Sequence, residues 1–185
     1  MLQKKNSKLL NKTREDIMSN VTFKNNPVKI NGELPKKGDN APDFILTKTD
    51  LSDVSLKDFK SSIIVLNIFP SIDTPVCAAS VRRFNTEAGK LGNCKVLCVS
   101  KDLPFAHNRF CETEGIENVI PVCELRNCDF GSKYGIRIAE GPLAGLLTRS
   151  VVVIDQKGRI AYTQLVQEIT NEPDYEDVLN FIKSM

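Results

Sequence analysis

The stretch Pro70-Ser71-Ile72-Asp73-Thr74-Pro75-Val76-Cys77 decides how this chain reads. The residues before it, Ile63-Ile64-Val65-Leu66-Asn67-Ile68-Phe69, form a short, β-branched, almost wholly apolar run, the pattern of a strand covered on both faces. Thr74 suits the N-cap of a following helix, and Pro75 then falls at N1, where its missing N–H is harmless. That register puts Cys77 at N3, among backbone N–H groups without intrahelical partners and at the positive end of the helix dipole. A thiol there is expected to have a lowered pKa and to be partly thiolate near neutrality, and the thiolate is the reactive species. The competing reading is a buried cysteine acting as a small hydrophobe. Strand, cap, proline and thiol in that order favour the reactive one.

Outward from this segment the chain alternates strand and helix signals. Val21 to Phe23 and Val28 to Ile30, around Lys24-Asn25-Asn26-Pro27, read as a small β-hairpin. Phe44 to Thr47 reads as a short strand, and Ser55-Leu56-Lys57-Asp58-Phe59 as a turn of helix feeding the strand at Ile63. The helix starting at Thr74 carries Val81, Phe84, Ala88 and Leu91 on one face and ends between Gly89 and Gly92. A strand (Lys95 to Ser100), a helix (Pro104 to Glu114), a strand near Val119 to Val122 and a helix at Phe130 to Tyr134 follow. Ser150 to Ile154 and Ile160 to Gln164 are two strands joined by the turn Asp155-Gln156-Lys157-Gly158, and a helix over Asp174 to Lys183 closes the chain. This order is that of an α/β thioredoxin-like fold, a mixed central sheet with helices on both faces, preceded by an N-terminal hairpin.

Bulk properties bound the function. A chain of 185 residues is one domain long enough to bury a real core, and a formal net charge of +2 gives no sign of nucleic-acid binding. No apolar run approaches the ~20 residues of a membrane span. Residues 1–18 carry Lys4, Lys5, Lys8, Lys12 and Arg14 against Glu15 and Asp16, and read as a flexible basic tail ahead of a domain over 19–185. Leu9-Leu10 is too little for the apolar core of a signal peptide. The six cysteines, at 77, 94, 98, 111, 123 and 128, are therefore expected to be free thiols in a reducing cytoplasm, with any disulfide transient and functional.

A dithiol oxidoreductase would place a second cysteine within a Cys-x-x-Cys motif, but Ser80 stands three residues after Cys77 and Thr74 three before. A lone activated thiolate at a helix start suits attack on a peroxide oxygen, giving a sulfenic acid. Pro-x-x-x-Thr-x-x-Cys, here Pro70, Thr74 and Cys77, resembles the peroxiredoxin active-site motif. The strings Val65 to Thr74, Cys77-Ala78-Ala79-Ser80-Val81-Arg82, Asp102-Leu103-Pro104-Phe105-Ala106 and Arg109-Phe110-Cys111 resemble the bacterial thiol peroxidase branch of that family. Gly141-Pro142-Leu143, Val151 to Asp155 and Glu172-Pro173-Asp174-Tyr175-Glu176 extend the resemblance from about Val21 to the C-terminus, leaving the tail uncovered.

That resemblance implies a role for each matching position. Cys77 is expected to be the peroxidatic cysteine, and Cys111 the resolving cysteine that condenses with its sulfenic acid. Thr74 would hold thiolate and peroxide through its hydroxyl, Pro70 would shield the pocket, and Arg149 would stabilise the thiolate and orient the peroxide. Thioredoxin is the implied electron donor, hydrogen peroxide and organic hydroperoxides the substrates, and a homodimer the assembly. No metal or cofactor is required. Both cysteines fall in predicted helices, so local unwinding is expected before a disulfide can form.

Bland readings stand beside these. A merely buried core role for Cys111 is the lesser reading even in isolation, and the resemblance weakens it further; Arg149 alone reads as a surface charge at a strand start, and the resemblance reverses that. His107, the single histidine, reads as a helix-surface residue, and Cys98 as core packing. Cys94-x3-Cys98 with Cys123-x4-Cys128 lacks the tight knuckle spacing of a zinc site. Cys123 and Cys128 match no functional position of the branch; an extra disulfide, alternative resolving thiols and no role all stay open. The rival to an enzyme is a peroxide sensor or disulfide relay, which shares the first chemical step.

Overall fold

In the computed structural model, which describes residues 20–185, the chain runs β1 (Asn20–Phe23), β2 (Asn26–Lys29), β3 (Ile45–Lys48), β4 (Asp53–Ser55), a 3-10 turn (Leu56–Phe59) and β5 (Ile63–Ile68). It continues through α1 (Pro75–Ala88), β6 (Cys94–Ser100), α2 (Pro104–Glu114), β7 (Ile120–Cys123) and α3 (Phe130–Lys133), and ends with β8 (Ser150–Ile154), β9 (Ile160–Leu165) and α4 (Tyr175–Lys183). The basic tail expected over residues 1–18 lies outside the described residues.

Seven strands form one sheet in the order β4-β3-β7-β6-β5-β8-β9. β5, β6 and β7 run parallel, while β3, β8 and β9 pair antiparallel with their neighbours. The two-residue period of β5 explains its apolar run. Val65 joins Val96, Cys98, Val151 and Val153 on the face covered by α1, α4 and Phe110 of α2. Ile64, Leu66 and Ile68 join Leu97, Val99 and Val152 on the other face, under Phe44, Phe130, Tyr134, Ile136 and Leu147. Each such aliphatic side chain contributes roughly 1.5–3 kcal/mol by leaving water, so only this register buries the whole run.

The helices end where their capping chemistry dictates. α2 starts on Pro104 and stops at Gly115, whose φ of 63° is the left-handed conformation that closes a helix. Asp174 caps α4 by accepting a hydrogen bond from the Asp177 N–H at 3.0 Å. The sequence reading omits β4, because Asp53-Val54-Ser55 holds a single apolar residue and pairs only at the sheet edge. In the expected hairpin, β1 pairs with β2, and Lys24 and Asn25 make its tight turn with φ of 53° and 64°. Its inner residues Val21, Val28 and Ile30 pack on Ile138 and Ile169, which brings the hairpin beside the chain leaving β9.

Candidate active site

The sheet register assembles the site at the C-terminal end of β5. There β5 has a parallel neighbour, β6, on one side and an antiparallel one, β8, on the other, the kind of switch in strand direction where α/β sheets open a crevice. Ile68 lies opposite Ser150, so Arg149, one residue before β8, meets the Phe69-Pro70 turn. Ile68 also lies beside Val99, so the end of β6 and the segment after it, Ser100 to Leu103, meet the loop 71–74.

α1 begins as its sequence requires. Thr74 has extended backbone (φ −108°, ψ 145°), Pro75 is the first helical residue, and the Thr74 carbonyl accepts the first helical hydrogen bond from Ala78 N–H at 2.9 Å. The Thr74 side chain differs from the expected cap. Its hydroxyl donates to the Ser71 carbonyl across the tight turn Ser71–Thr74 at 3.1 Å and accepts no hydrogen bond from the helix. Cys77 sits in the first turn of α1 and is wholly buried.

Arg149 is also buried, at 2% exposure, which settles that it is no surface charge. Its Nε–H donates to the Ile169 carbonyl at 3.0 Å and its Nη2 to Cys77 Sγ at 3.3 Å. Nη1 is buried with no hydrogen-bond partner among the described residues. A planar guanidinium anchored at one edge holds its other donors in fixed directions, as a lysine could not. Pro70, Thr74 and Arg149 line one cavity of about 390 Å³, with Phe23, Val76, Leu143, Leu146 and Ile169 as further walls. The cavity surface is almost wholly apolar. A larger groove of about 490 Å³ lies elsewhere, around Lys57, Lys60 and Lys157, and holds no cysteine.

Cys111 lies in the last turns of α2, half-buried, packed on the same face of the sheet as Cys77. Burial, and to a lesser degree the Glu112 carboxylate, pushes its thiol pKa up. All six cysteines are unpaired. Cys98 is core, as expected: its sulfur accepts from Asn67 Nδ2 at 3.6 Å, and burial pushes its pKa up to about 12. Cys94 and Cys123 are buried and pushed up to about 11, whereas Cys128 is exposed and sits over the Glu124 carbonyl. Among the described residues no group of three or more His, Cys, Asp and Glu side chains converges as a metal site would.

His107 is the clear correction. It is buried at 2% exposure, its Nε2 lies 2.9 Å from Ser100 Oγ, and its ring packs edge-on near Phe69. The signal was present in the sequence: His107 precedes the buried Phe110 by three residues, and thus shares the inward face of α2. Ser100, Ser71 and Asp102, which join His107 to the Cys77 loop, were not singled out as site residues.

The profile of the Redoxin family matches residues 36–179. Thiol peroxidases of Corynebacterium glutamicum and Mycobacterium bovis are 55% and 52% identical to this chain over 162 residues, 88% of it, covering 98% and 97% of their own lengths. A peroxiredoxin-like protein from Aquifex aeolicus superposes with a TM-score of 0.85 at 41% identity, over 91% of this chain and 98% of that one. A thiol peroxidase from Chromobacterium violaceum, at 22% identity, shares the fold with a TM-score of 0.80 over 91% of this chain and 97% of its own. The chain belongs to the Redoxin family and, within it, to the thiol peroxidase branch of the peroxiredoxins, enzymes of the peroxidase class. Among the described residues no helix is long and apolar enough to cross a membrane.

Proposed function

We propose that this enzyme reduces hydroperoxides at Cys77 and closes its cycle through a Cys77–Cys111 disulfide. The observation that carries this reading is the Arg149 fork: one amine donates to Cys77 Sγ while Nη1, buried and unpartnered, is available to a substrate oxygen. The Cys77 thiolate attacks the terminal peroxide oxygen. The S–O bond forms as the O–O bond breaks, and the departing alkoxide or hydroxide takes up a proton to leave as alcohol or water. Arg149 counters negative charge on the sulfur and on the leaving oxygen. Thr74 Oγ1, turning from the Ser71 carbonyl, orients the peroxide, and buried Pro70 keeps water from the reacting oxygen.

Cys111 then attacks the sulfenic sulfur, forming S–S and releasing water. A dithiol protein of the thioredoxin type returns two electrons and two protons. Both cysteines are helical and unbonded, so α1, α2 or both unwind locally before condensation. The apolar cavity supports organic hydroperoxides beside hydrogen peroxide, since burying a substrate's hydrocarbon there adds binding that hydrogen peroxide cannot supply. Exposed Leu103 and Phe105 at the start of α2 support an interface between two copies, and six unpaired thiols suit the cytoplasm.

Peroxide-dependent NADPH consumption coupled through thioredoxin and its reductase tests the cycle. Sustained consumption, with a Cys77–Cys111 peptide after one equivalent of peroxide, is the expected result. A single burst followed by a stable mixed disulfide with a partner would replace the enzyme by a relay.

A further inference from the structure

The loop that carries Thr74 toward Cys77 is held from the side opposite Arg149 by one carboxylate. Asp102, half-buried in the turn between β6 and α2, accepts three short hydrogen bonds. Ser71 Oγ donates to Oδ1 at 2.8 Å, Ile72 N–H to Oδ2 at 2.7 Å, and Ser100 Oγ to Oδ2 at 2.7 Å. The hydroxyl of Ser100 has a single proton, and that proton is directed at Asp102 Oδ2. His107 Nε2, 2.9 Å from the same oxygen, must therefore be the donor in that contact. The chain of bonds runs from the loop before Cys77, through Asp102 and Ser100, to a side chain on α2 one turn before Cys111.

We propose that Asp102 is a positioning residue that locks the Cys77 loop and the Cys111 helix together in the arrangement competent for peroxide attack. The proposal rests on the reading of Cys77 and Cys111 as attacking and resolving thiols. Its logic is geometric. Ser71 is fixed by its hydroxyl to Asp102, and its carbonyl in turn receives the Thr74 hydroxyl at 3.1 Å. Removing the carboxylate frees the support on which Thr74 is aimed, and a small misplacement of an orienting group is costly in rate. It also removes the tie that resists separation of the loop from α2, which resolution requires.

Two other links join the same elements: Arg109 with Asp73 at 2.8 Å, and Arg82 with Glu114 at 2.8 and 2.9 Å. Both pairs are solvent-exposed, and such pairs contribute little to stability. Hydrogen bonds to a partly buried carboxylate are stronger than exposed ion pairs, and Asp102 accepts three, so it dominates the joint.

The test separates the two chemical steps in the full-length protein. Attack is read by quench-flow trapping of the sulfenic acid with dimedone in a Cys111→Ser background, since the chain has no Trp to report it by fluorescence. Resolution is read by timed disulfide mapping with Cys111 present. Asp102→Asn is expected to slow attack about tenfold and to speed resolution severalfold, with Asp102→Glu, which keeps the acceptor, recovering part of the loss. Ser100→Ala cuts the branch to His107 and one of the three bonds to the Asp102 carboxylate, leaving those from Ser71 and Ile72, and should speed resolution more than it slows attack. Attack unchanged in Asp102→Asn, or both steps slowed in parallel in both variants, would overturn the proposal. If Asp102→Asn fails to fold, the opposite shifts in Ser100→Ala still decide. If mapping of the wild type finds no Cys77–Cys111 bond, the underlying disulfide reading fails, and the attack rate of Asp102→Asn still decides whether the carboxylate positions the loop.

Discussion

Cys77 and Cys111 sit on neighbouring helices over the same face of one sheet, yet their surroundings are opposite. Cys77 is sealed in the first turn of its helix with a guanidinium 3.3 Å from its sulfur. Cys111 lies near the end of its helix, half-open to solvent, with burial and Glu112 acting against ionisation. In the proposed cycle the guanidinium beside Cys77 suits the attacking group, and the surroundings of Cys111 suit a group that waits as a thiol.

The strongest way to break this contrast is Cys77→Ser, which should abolish turnover in the coupled NADPH assay. Retained activity there would move the attack to another thiol. Cys111→Ser comes next: one stoichiometric turnover, then a loss of thioredoxin-dependent cycling of at least about a hundredfold, as the proposed resolving thiol is gone. Full steady-state activity would make Cys123 or Cys128 the resolving candidates.

A smaller effect is expected from Arg149→Lys, which keeps the charge but loses the fork held on Ile169. Attack measured by dimedone trapping should fall by about 10- to 100-fold, as for loss of a preorganised donor. An unchanged rate would mean that charge alone suffices.

The smallest effect is one of stability. Burial lowers the His107 pKa from its ordinary 6.5, opposed by Asp102 and Asp73, so the folded protein binds this proton less readily than the unfolded chain. The group's contribution to stability is therefore complete above about pH 6.5 and is lost as the pH falls through the lowered value. The urea midpoint of the wild type should drop more between pH 7.5 and pH 5 than that of His107→Gln. Equal drops would show that His107 is not the group being titrated.

Local features were legible in the chain. The apolar run at Ile63, the Thr74-Pro75 helix start and the bounds of α2 at Pro104 and Glu114 all depend on residues within a few positions of one another. His107 was misread because a lone polar residue within an apolar stripe looks exposed unless its partner is known, and Ser100 belongs to another element. Thr74 is the cap residue, as its position predicts, but its hydroxyl donates to the Ser71 carbonyl and accepts nothing from the helix, a matter of ångströms that spacing does not express.

Composition, period and capping therefore determined by themselves that a cysteine sits in the first turn of a helix after a buried strand, and the family resemblance supplied the names of its proposed partners. Only the tertiary structure decided what faces that thiol. Arg149 stands 72 positions away, and reaches Cys77 only because Ile68 pairs with Ser150 across the sheet. The apolar cavity draws its walls from the hairpin, the segment before β8 and the segment after β9. A hydrogen bond is made or lost within less than an ångström, and contacts of that kind between distant segments are set by strand register and packing rather than by any local pattern.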